Sequence, residues 1–399
     1  MKSQAYNPEW AFRTALRSRA ARWQHQQLLS PAQLAGIEAA YPLNYYRPVW
    51  PLRVGLFLFA CLGLGMASVF SFLITGESAF AAGMVYCAAC FLFLELVIRD
   101  RRLYHCGADN ALLYSGLGAA AGLIFYVSFS FIWPVSLAYH FTLTNGYLAP
   151  PLLLVLALLV AAVVRYADAL VTAAAFLTML LLTALAGLQS SLGQALLPFL
   201  MMATAAGTLG LYRALARRVA GTILADYYAT CLLALKVLAL AVFYLGGNYL
   251  VVREGNAALH ELSTSVQVPF APIFYVLTAG IPLLYIGLGL RRADRPTLLV
   301  GLLTVVFSLY TLRHYRSLLP PEVAAVVAGV VLTLLAGMLL RILRPARFGF
   351  TSLPDDEPRH LNLENLIQAQ TAHAPAAPAT GGFAFGGGHS GGGGATGQF

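Results

Sequence analysis

Long apolar stretches, separated by short polar segments, occupy most of this 399-residue chain. Ten of them come close to or exceed the roughly 20 residues that an α-helix needs to cross the hydrocarbon core of a bilayer. The sequence lacks the short segments of alternating apolar and polar positions that mark membrane β-barrels. The pattern predicts an all-α fold: a polytopic helical integral membrane protein with about ten transmembrane helices.

The ten predicted spans divide the chain into an N-terminal segment over 1–50, a membrane domain over 51–345 and a tail over 346–399. Only residues 165–168 separate the fourth and fifth spans, which predicts a tight helical hairpin. Pro272 and Pro282 lie in the eighth span, and we expect them to break its helix. The predicted spans are Pro51–Ile74, Phe80–Ile98, Ala111–Trp133, Leu148–Val164, Ala169–Leu188, Ala195–Leu211, Thr222–Leu245, Pro269–Leu290, Pro296–Leu312 and Val323–Leu340.

Charge is scarce and unevenly placed. Only 10% of the residues are charged and the mean hydropathy is +0.73, whereas about a quarter of the residues of a soluble protein are charged. With ten spans, 21 Lys and Arg residues fall on the side of the N terminus and three on the other side. Basic residues concentrate in cytoplasmic segments, so we expect both termini in the cytoplasm.

The net charge of +9 arises from the same excess of basic residues on one side. We therefore expect the protein to interact with the lipid bilayer and with the anionic headgroups at its cytoplasmic face. Nucleic acid is not an expected partner, because the sequence has no compact basic domain with interleaved aromatic residues.

The N-terminal segment is predicted to form two helices. In the first helix, apolar residues share one face with Arg13 and Arg17 beside it, as in helices that lie on a membrane surface. Ser30 and Gln33 have the spacing of a capping box, with Pro31 at the first position of the second helix. Two interpretations stay open: the hairpin packs on its own membrane domain, or it docks another protein. The apolar face of the first helix comprises Phe12, Leu16, Ala20 and Trp23.

One short stretch carries a resemblance to known proteins. The residues Leu28-Leu29-Ser30-Pro31-Ala32-Gln33 precede an array of Gly-rich apolar helices. In this the chain resembles bacterial predicted membrane proteins of a domain-of-unknown-function family, over the N-terminal segment and the first span. The resemblance implies placement in the bacterial inner membrane, and it implies no activity or catalytic residues.

The tail is predicted to be cytoplasmic and mostly disordered. From His373 onward it is rich in Ala and Pro and then in Gly, and such a composition cannot bury enough apolar surface to fold. Phe383, Phe385 and Phe399 leave open a short aromatic interaction motif. The N-terminal hairpin and this tail are therefore the two candidate binding sites for a protein partner.

Ionisable residues inside predicted spans are the first place to seek a functional site. Lys236 lies near the middle of the seventh span, where its ammonium group needs a polar partner. Glu95 lies near the cytoplasmic end of the second span, where Arg99 is a nearby partner. Asp226 lies at the start of the seventh span, where a helix dipole favours negative charge. These three residues form the candidate intramembrane polar site.

Other chemistry finds no support in the sequence. Cys87 and Cys90 form C-x-x-C inside a predicted span, where cysteine acts as a small apolar residue. The histidines lack the spacing of metal ligands, and phosphate-binding and dinucleotide-binding motifs are missing. We therefore expect no cofactor, no metal and no catalytic residue.

Three functions remain open. The first is a non-catalytic scaffold, sensor or assembly component, in keeping with the few intramembrane charges. The second is a transporter of small solutes or lipid-related molecules, with a midplane site near Lys236. The third is an intramembrane enzyme that acts on a lipid-linked substrate, which would need a pair of acid and base groups.

Overall fold

In a computed structural model of the chain, the described residues are 4–76, 78–133, 146–260 and 264–315, with scattered positions between 323 and 341. They form fourteen α-helices, of which nine are long and apolar enough to cross a membrane. The predicted all-α polytopic fold is thus confirmed. The nine helices match the first nine predicted spans, whereas most of the tenth, Val323–Leu340, and the whole tail lie outside the described residues.

The N-terminal segment contains helices α1 (Pro8–His25) and α2 (Pro31–Ala40). Ser30 and Gln33 form the predicted capping box at the start of α2. Arg17 joins the two helices, because its guanidinium donates to backbone carbonyls of the segment that ends α2. The small side chain of Ala20 is completely buried on α1, which contacts the membrane domain.

The first four spans form one group of packed helices. They are α3 (Trp50–Ile74), α4 (Ala79–Asp100), α5 (Ala108–Val127) and α6 (Ala149–Tyr166). A π-helical turn at Ser128–Ile132 extends α5. Ser71 is the one buried residue of α3, and Phe59 is 77% exposed. Helix α3 therefore turns most of its apolar surface outward, as a helix in contact with lipid does.

The remaining spans follow after a tight turn at Ala167, which has the left-handed conformation. Helix α7 contacts both α6 of the first group and the helices α9 and α11 of the second, so it joins the two groups. The predicted seventh span begins with a separate short helix, α10. These helices are α7 (Ala169–Leu188), α8 (Ser191–Ala195), α9 (Leu197–Val219), α10 (Leu224–Tyr227), α11 (Ala229–Gly247), α12 (Tyr249–Leu259), α13 (Ala271–Arg291) and α14 (Arg295–Tyr315).

Contacts of the N-terminal segment define one side of the bundle, here called the N-terminal side. The backbone of Tyr46 pairs with the segment after α4. The amide of Ala5 donates to the Arg165 carbonyl at the end of α6. Arg19 forms an ion pair with Asp226 in α10. The ends of α4, α6 and α9 therefore lie on the N-terminal side, and those of α3, α5, α7 and α11 lie on the opposite side.

Helix α13 corrects one prediction, because it runs unbroken through both prolines. Pro272 lies in its first turn, where the missing N–H has no helical acceptor anyway. Pro282 lies inside the helix and leaves the carbonyl of Thr278 without its usual amide donor. The Ser308 hydroxyl of α14 donates to that carbonyl at 2.6 Å. A hydrogen bond from the neighbouring helix thus compensates for Pro282, which the sequence of α13 alone does not reveal.

Two glycines allow α13 and α14 to pack closely around the turn that joins them. A Cβ atom on Gly289 would lie 2.8 Å from the backbone nitrogen of Leu298. A Cβ atom on Gly301 would lie 3.0 Å from the backbone nitrogen of Ile286. This close approach holds the turn at residues 292–294 in place, and with it the carboxylate of Asp294.

Candidate functional site

A buried carboxylate, Asp109, holds the N-terminal segment to the membrane domain. It lies in the first turn of α5 and is completely inaccessible to solvent. Its Oδ1 atom accepts from the backbone amides of Cys106, Gly107 and Asn110 at 2.9–3.1 Å. Its Oδ2 atom accepts from the Tyr6 hydroxyl at 2.7 Å. Both oxygens are therefore engaged within the chain.

The ring of Tyr6 fills the space between α5, α6 and the segment after α4. It is 2% exposed, and its centroid lies 4.8–6.5 Å from those of Tyr104, His105 and Tyr166. Burial, followed by the charge of Asp109, raises the pKa of Tyr6 well above its usual value. Burial lowers the pKa of His105, although Asp109 opposes that shift. Tyr6 is thus a neutral hydrogen-bond donor that anchors residues 4–8.

A second buried carboxylate, Asp168, lies in the turn between α6 and α7. Its Oδ1 atom accepts from the Val171 amide at 2.9 Å and so caps α7. Its Oδ2 atom accepts from Asn110 at 3.1 Å and from the Tyr114 hydroxyl at 2.9 Å. These hydrogen bonds tie α5 to the start of α7. Like Asp109, Asp168 has both oxygens occupied by donors from its own chain.

The candidate residue Glu95 pairs with α6. Its Oε1 atom accepts from the Arg165 guanidinium at 2.7 Å and from the Tyr166 hydroxyl at 2.8 Å. Arg165 therefore takes the place that the sequence suggested for Arg99. Glu95, Arg99 and Arg165 line a cavity of about 600 Å³ beneath residues 4–10 on the N-terminal side.

Lys236 finds its partner in a loop of the N-terminal side. Its Cα lies seven residues into α11, about 10 Å from the first residue of that helix. Its ammonium group reaches back to pair with Asp294, in the turn between α13 and α14. The ring of Tyr212 lies 5.6 Å from the same ammonium group. The long side chain thus places its charge nearer the end of the helix, as snorkelling side chains do.

Asp294 is held in place by α14 as well as by Lys236. It accepts from the Thr297 hydroxyl at 2.7 Å, as expected of a residue that caps the start of a helix. Partial burial raises the pKa of Asp294, but the hydrogen bonds from Lys236 and Thr297 outweigh it and bring the value below 3.8. The carboxylate is therefore ionised at neutral pH.

A cavity of about 610 Å³ adjoins this ion pair and is here called the basic cavity. Its polar wall is formed by Arg213 and Arg217 of α9, Arg292 at the end of α13, and the Lys236–Asp294 pair. Its apolar wall is formed by leucines of α9, α11 and α13. With four cations and one carboxylate in its lining, the basic cavity carries an excess of positive charge.

A second cavity lies at the other end of the same helices. It has a volume of about 570 Å³ and is lined mainly by apolar residues, with Gln194, Asn256 and His260 among the polar ones. Gly246 of α11 lines this cavity, and Leu240 lines the basic cavity. Whether the two cavities connect therefore depends on the side chains packed between Leu240 and Gly246.

A closed layer of hydrogen-bonded polar side chains begins in that region at Tyr244 and extends from there toward α14. The side-chain amide of Asn248 donates to the Tyr244 hydroxyl at 2.9 Å and to the Thr311 hydroxyl at 3.0 Å. The Tyr244 hydroxyl lies 2.7 Å from the Ser308 hydroxyl, which in turn donates to the Thr278 carbonyl. All these side chains are buried. The layer links α11, α13 and α14 through hydrogen bonds within the chain.

The structure does not bring the three candidate residues together. Glu95 pairs with Arg165, Asp226 with Arg19 at 2.6 Å, and Lys236 with Asp294. Sequence reasoning missed Asp294 as a partner. Its position could have indicated the pairing, because Asp294 is the one carboxylate in a basic loop on the side of the bundle where α11 begins. Within the described part of the chain, His, Cys, Asp and Glu residues do not cluster as a metal site would require.

Comparison with known proteins adds no family to these observations. No protein-family model, curated protein or solved structure matches this chain. The resemblance to a family of bacterial predicted membrane proteins therefore stays a prediction.

Proposed function

We propose that this chain is a non-catalytic scaffold, sensor or assembly component of the bacterial inner membrane, with its N-terminal side in the cytoplasm. One observation carries the proposal: the buried carboxylates Asp109 and Asp168 use both of their oxygens to bind groups of their own chain. These carboxylates hold the N-terminal segment and three helices in one arrangement.

The same observation argues against an enzyme that acts on a lipid-linked substrate. A general acid or base must reach the proton that it transfers, directly or through one water molecule. Asp109 is completely buried and meets four donors of its own chain. Asp168 is 4% exposed and meets three. Neither carboxylate has an oxygen free for a substrate.

A transporter is the second candidate, because cavities lie at both ends of the helices α9, α11 and α13. Transport requires that the interior between such cavities open to each side in turn. In the proposed scaffold, the layer of Tyr244, Asn248 and Ser308 stays closed. The two functions therefore differ in whether water reaches this layer.

Cysteine labelling tests which of the two holds. We expect a cysteine at position 308 to resist a membrane-impermeant maleimide applied from either side of the membrane, because Ser308 is buried in the closed layer. The substitution Ser308→Cys is nearly isosteric, and it is made in a variant whose five cysteines are replaced by alanine. The fraction labelled is measured before and after unfolding in detergent.

Two positions serve as controls for access to each side. Ala216→Cys in the basic cavity and Asn256→Cys in the opposite cavity should each be labelled from one side. The side from which Ala216→Cys reacts also reports whether the N-terminal side is cytoplasmic. Labelling of position 308 in the folded protein, from either side, would support the transporter instead.

A further inference from the structure

The basic cavity contains three arginines that bind no other group of the described chain. Some other arginines of the N-terminal side do bind such groups: Arg17 bonds carbonyls, and Arg19 and Arg165 form ion pairs. Among the described residues, no hydrogen bond or ion pair engages the side chains of Arg213, Arg217 or Arg292. Three guanidinium groups thus face the same cavity with their donors available.

Two of these arginines are placed to act together. Arg213 and Arg217 are four residues apart on α9, so their side chains leave the same face of the helix. Arg292, at the end of α13, lines the same cavity. A guanidinium group presents its N–H donors in a planar fork that matches the oxygens of a phosphate group.

Lys236 adds a fixed positive charge at the inner end of the cavity. Asp294 neutralises part of it, and the remaining cations give the lining a formal charge of +3 from four cations and one carboxylate. This excess of positive charge attracts an anion. The ion pair with Asp294 keeps the Lys236 side chain oriented toward the cavity.

The apolar wall adds a second requirement. Leu209, Leu240 and Leu288 line the part of the cavity formed by the spans α9, α11 and α13. An occupant that matches both walls has an anionic group at the membrane surface and an apolar part beside the helices. Basic cavities between transmembrane helices bind lipid headgroups in this way.

We propose that the basic cavity binds a phosphate-bearing anion through Arg213, Arg217 and Arg292. An anionic phospholipid of the adjacent leaflet and a soluble phosphate compound share this chemistry, and the apolar wall favours the phospholipid. The proposal adds a ligand site to the protein and does not depend on the function proposed above.

Ligand-induced stabilisation tests the site. The purified full-length protein in a neutral detergent is titrated with phosphatidylglycerol, with phosphatidylcholine or with inorganic phosphate, and the unfolding temperature is followed. We expect phosphatidylglycerol to raise it and phosphatidylcholine to leave it unchanged. The variant Arg213→Gln/Arg217→Gln should bind phosphatidylglycerol at least about tenfold more weakly, since two charge-assisted hydrogen-bonding groups are lost.

Arg218→Gln is the matched control, because Arg218 neighbours Arg217 but does not line the cavity. It should bind phosphatidylglycerol as the unmodified protein does. Arg292→Gln provides a second, single substitution from another helix and should also weaken binding. Stabilisation by inorganic phosphate with the same dependence on the variants would assign the site to a soluble anion. Absence of stabilisation by either phosphate source, or equal losses in Arg218→Gln, would overturn the proposal.

Discussion

Replacing Lys236 by methionine is expected to destabilise the protein by about 1–3 kcal/mol, between the values for exposed and buried ion pairs. The pair is mostly buried, with 13% of the Lys236 side chain and 23% of the Asp294 side chain exposed. Methionine fills the same space but leaves the Asp294 carboxylate with Thr297 as its remaining side-chain donor. The free energy of unfolding in detergent measures the loss.

The double variant Lys236→Met/Asp294→Asn should recover most of that loss. It removes both charges, and asparagine caps a helix as well as aspartate does. The pair also carries a pH dependence, because the pKa of Asp294 is lowered in the folded protein. Its contribution is complete above the ordinary value of 3.8 and is lost as the pH falls through the lower, folded value. Equal stability of Lys236→Met and the unmodified protein at pH 7 would rule out a stabilising ion pair.

Truncating Tyr6 should detach the N-terminal segment. Tyr6→Ala removes a ring that is 2% exposed and the hydroxyl donor of Asp109, at an expected cost of about 3–5 kcal/mol. Tyr6→Phe removes the hydroxyl alone and should cost about 1–3 kcal/mol. Limited proteolysis measures the effect, because α1 should be cleaved faster in Tyr6→Ala than in the unmodified protein.

Tyr46→Ala is the control for this experiment. The Tyr46 side chain is 46% exposed, and its contacts to the segment after α4 are made by its backbone. The substitution should leave the rate of cleavage unchanged. If Tyr6→Ala and Tyr46→Ala are cleaved at the same rate, the Tyr6 side chain does not anchor the segment.

The fold could be predicted from the sequence because its main signal is local. Each span needs about 20 apolar residues in sequence, and nine of the predicted spans correspond to helices of the described part. The capping box of Ser30 and Gln33 is also local and forms as predicted. The continuity of α13 was not predictable in this way, because it depends on Ser308, a residue of the next helix.

The partners of polar residues were harder to predict, because they lie far apart along the chain. Asp109 and Tyr6 are 103 residues apart, and Lys236 and Asp294 are 58 apart. Asp109 lies in the first turn of α5, where a helix dipole favours negative charge, but its main contacts are the Tyr6 hydroxyl and three amides. The length of an apolar stretch shows which helices can cross a membrane, but it does not show which of them become neighbours.

We propose that the buried carboxylates hold the chain together and take no part in chemistry. Thermal unfolding of Asp109→Asn and Asp168→Asn tests this role, with the exposed Asp100→Asn as control. We expect both buried substitutions to lower the stability by about 1–3 kcal/mol, because an amide group would face donors that now meet a carboxylate. Asp100→Asn should have no effect. Replacement of an active-site residue often stabilises a protein. An unchanged or raised unfolding temperature in both buried variants would therefore contradict a purely structural role for Asp109 and Asp168.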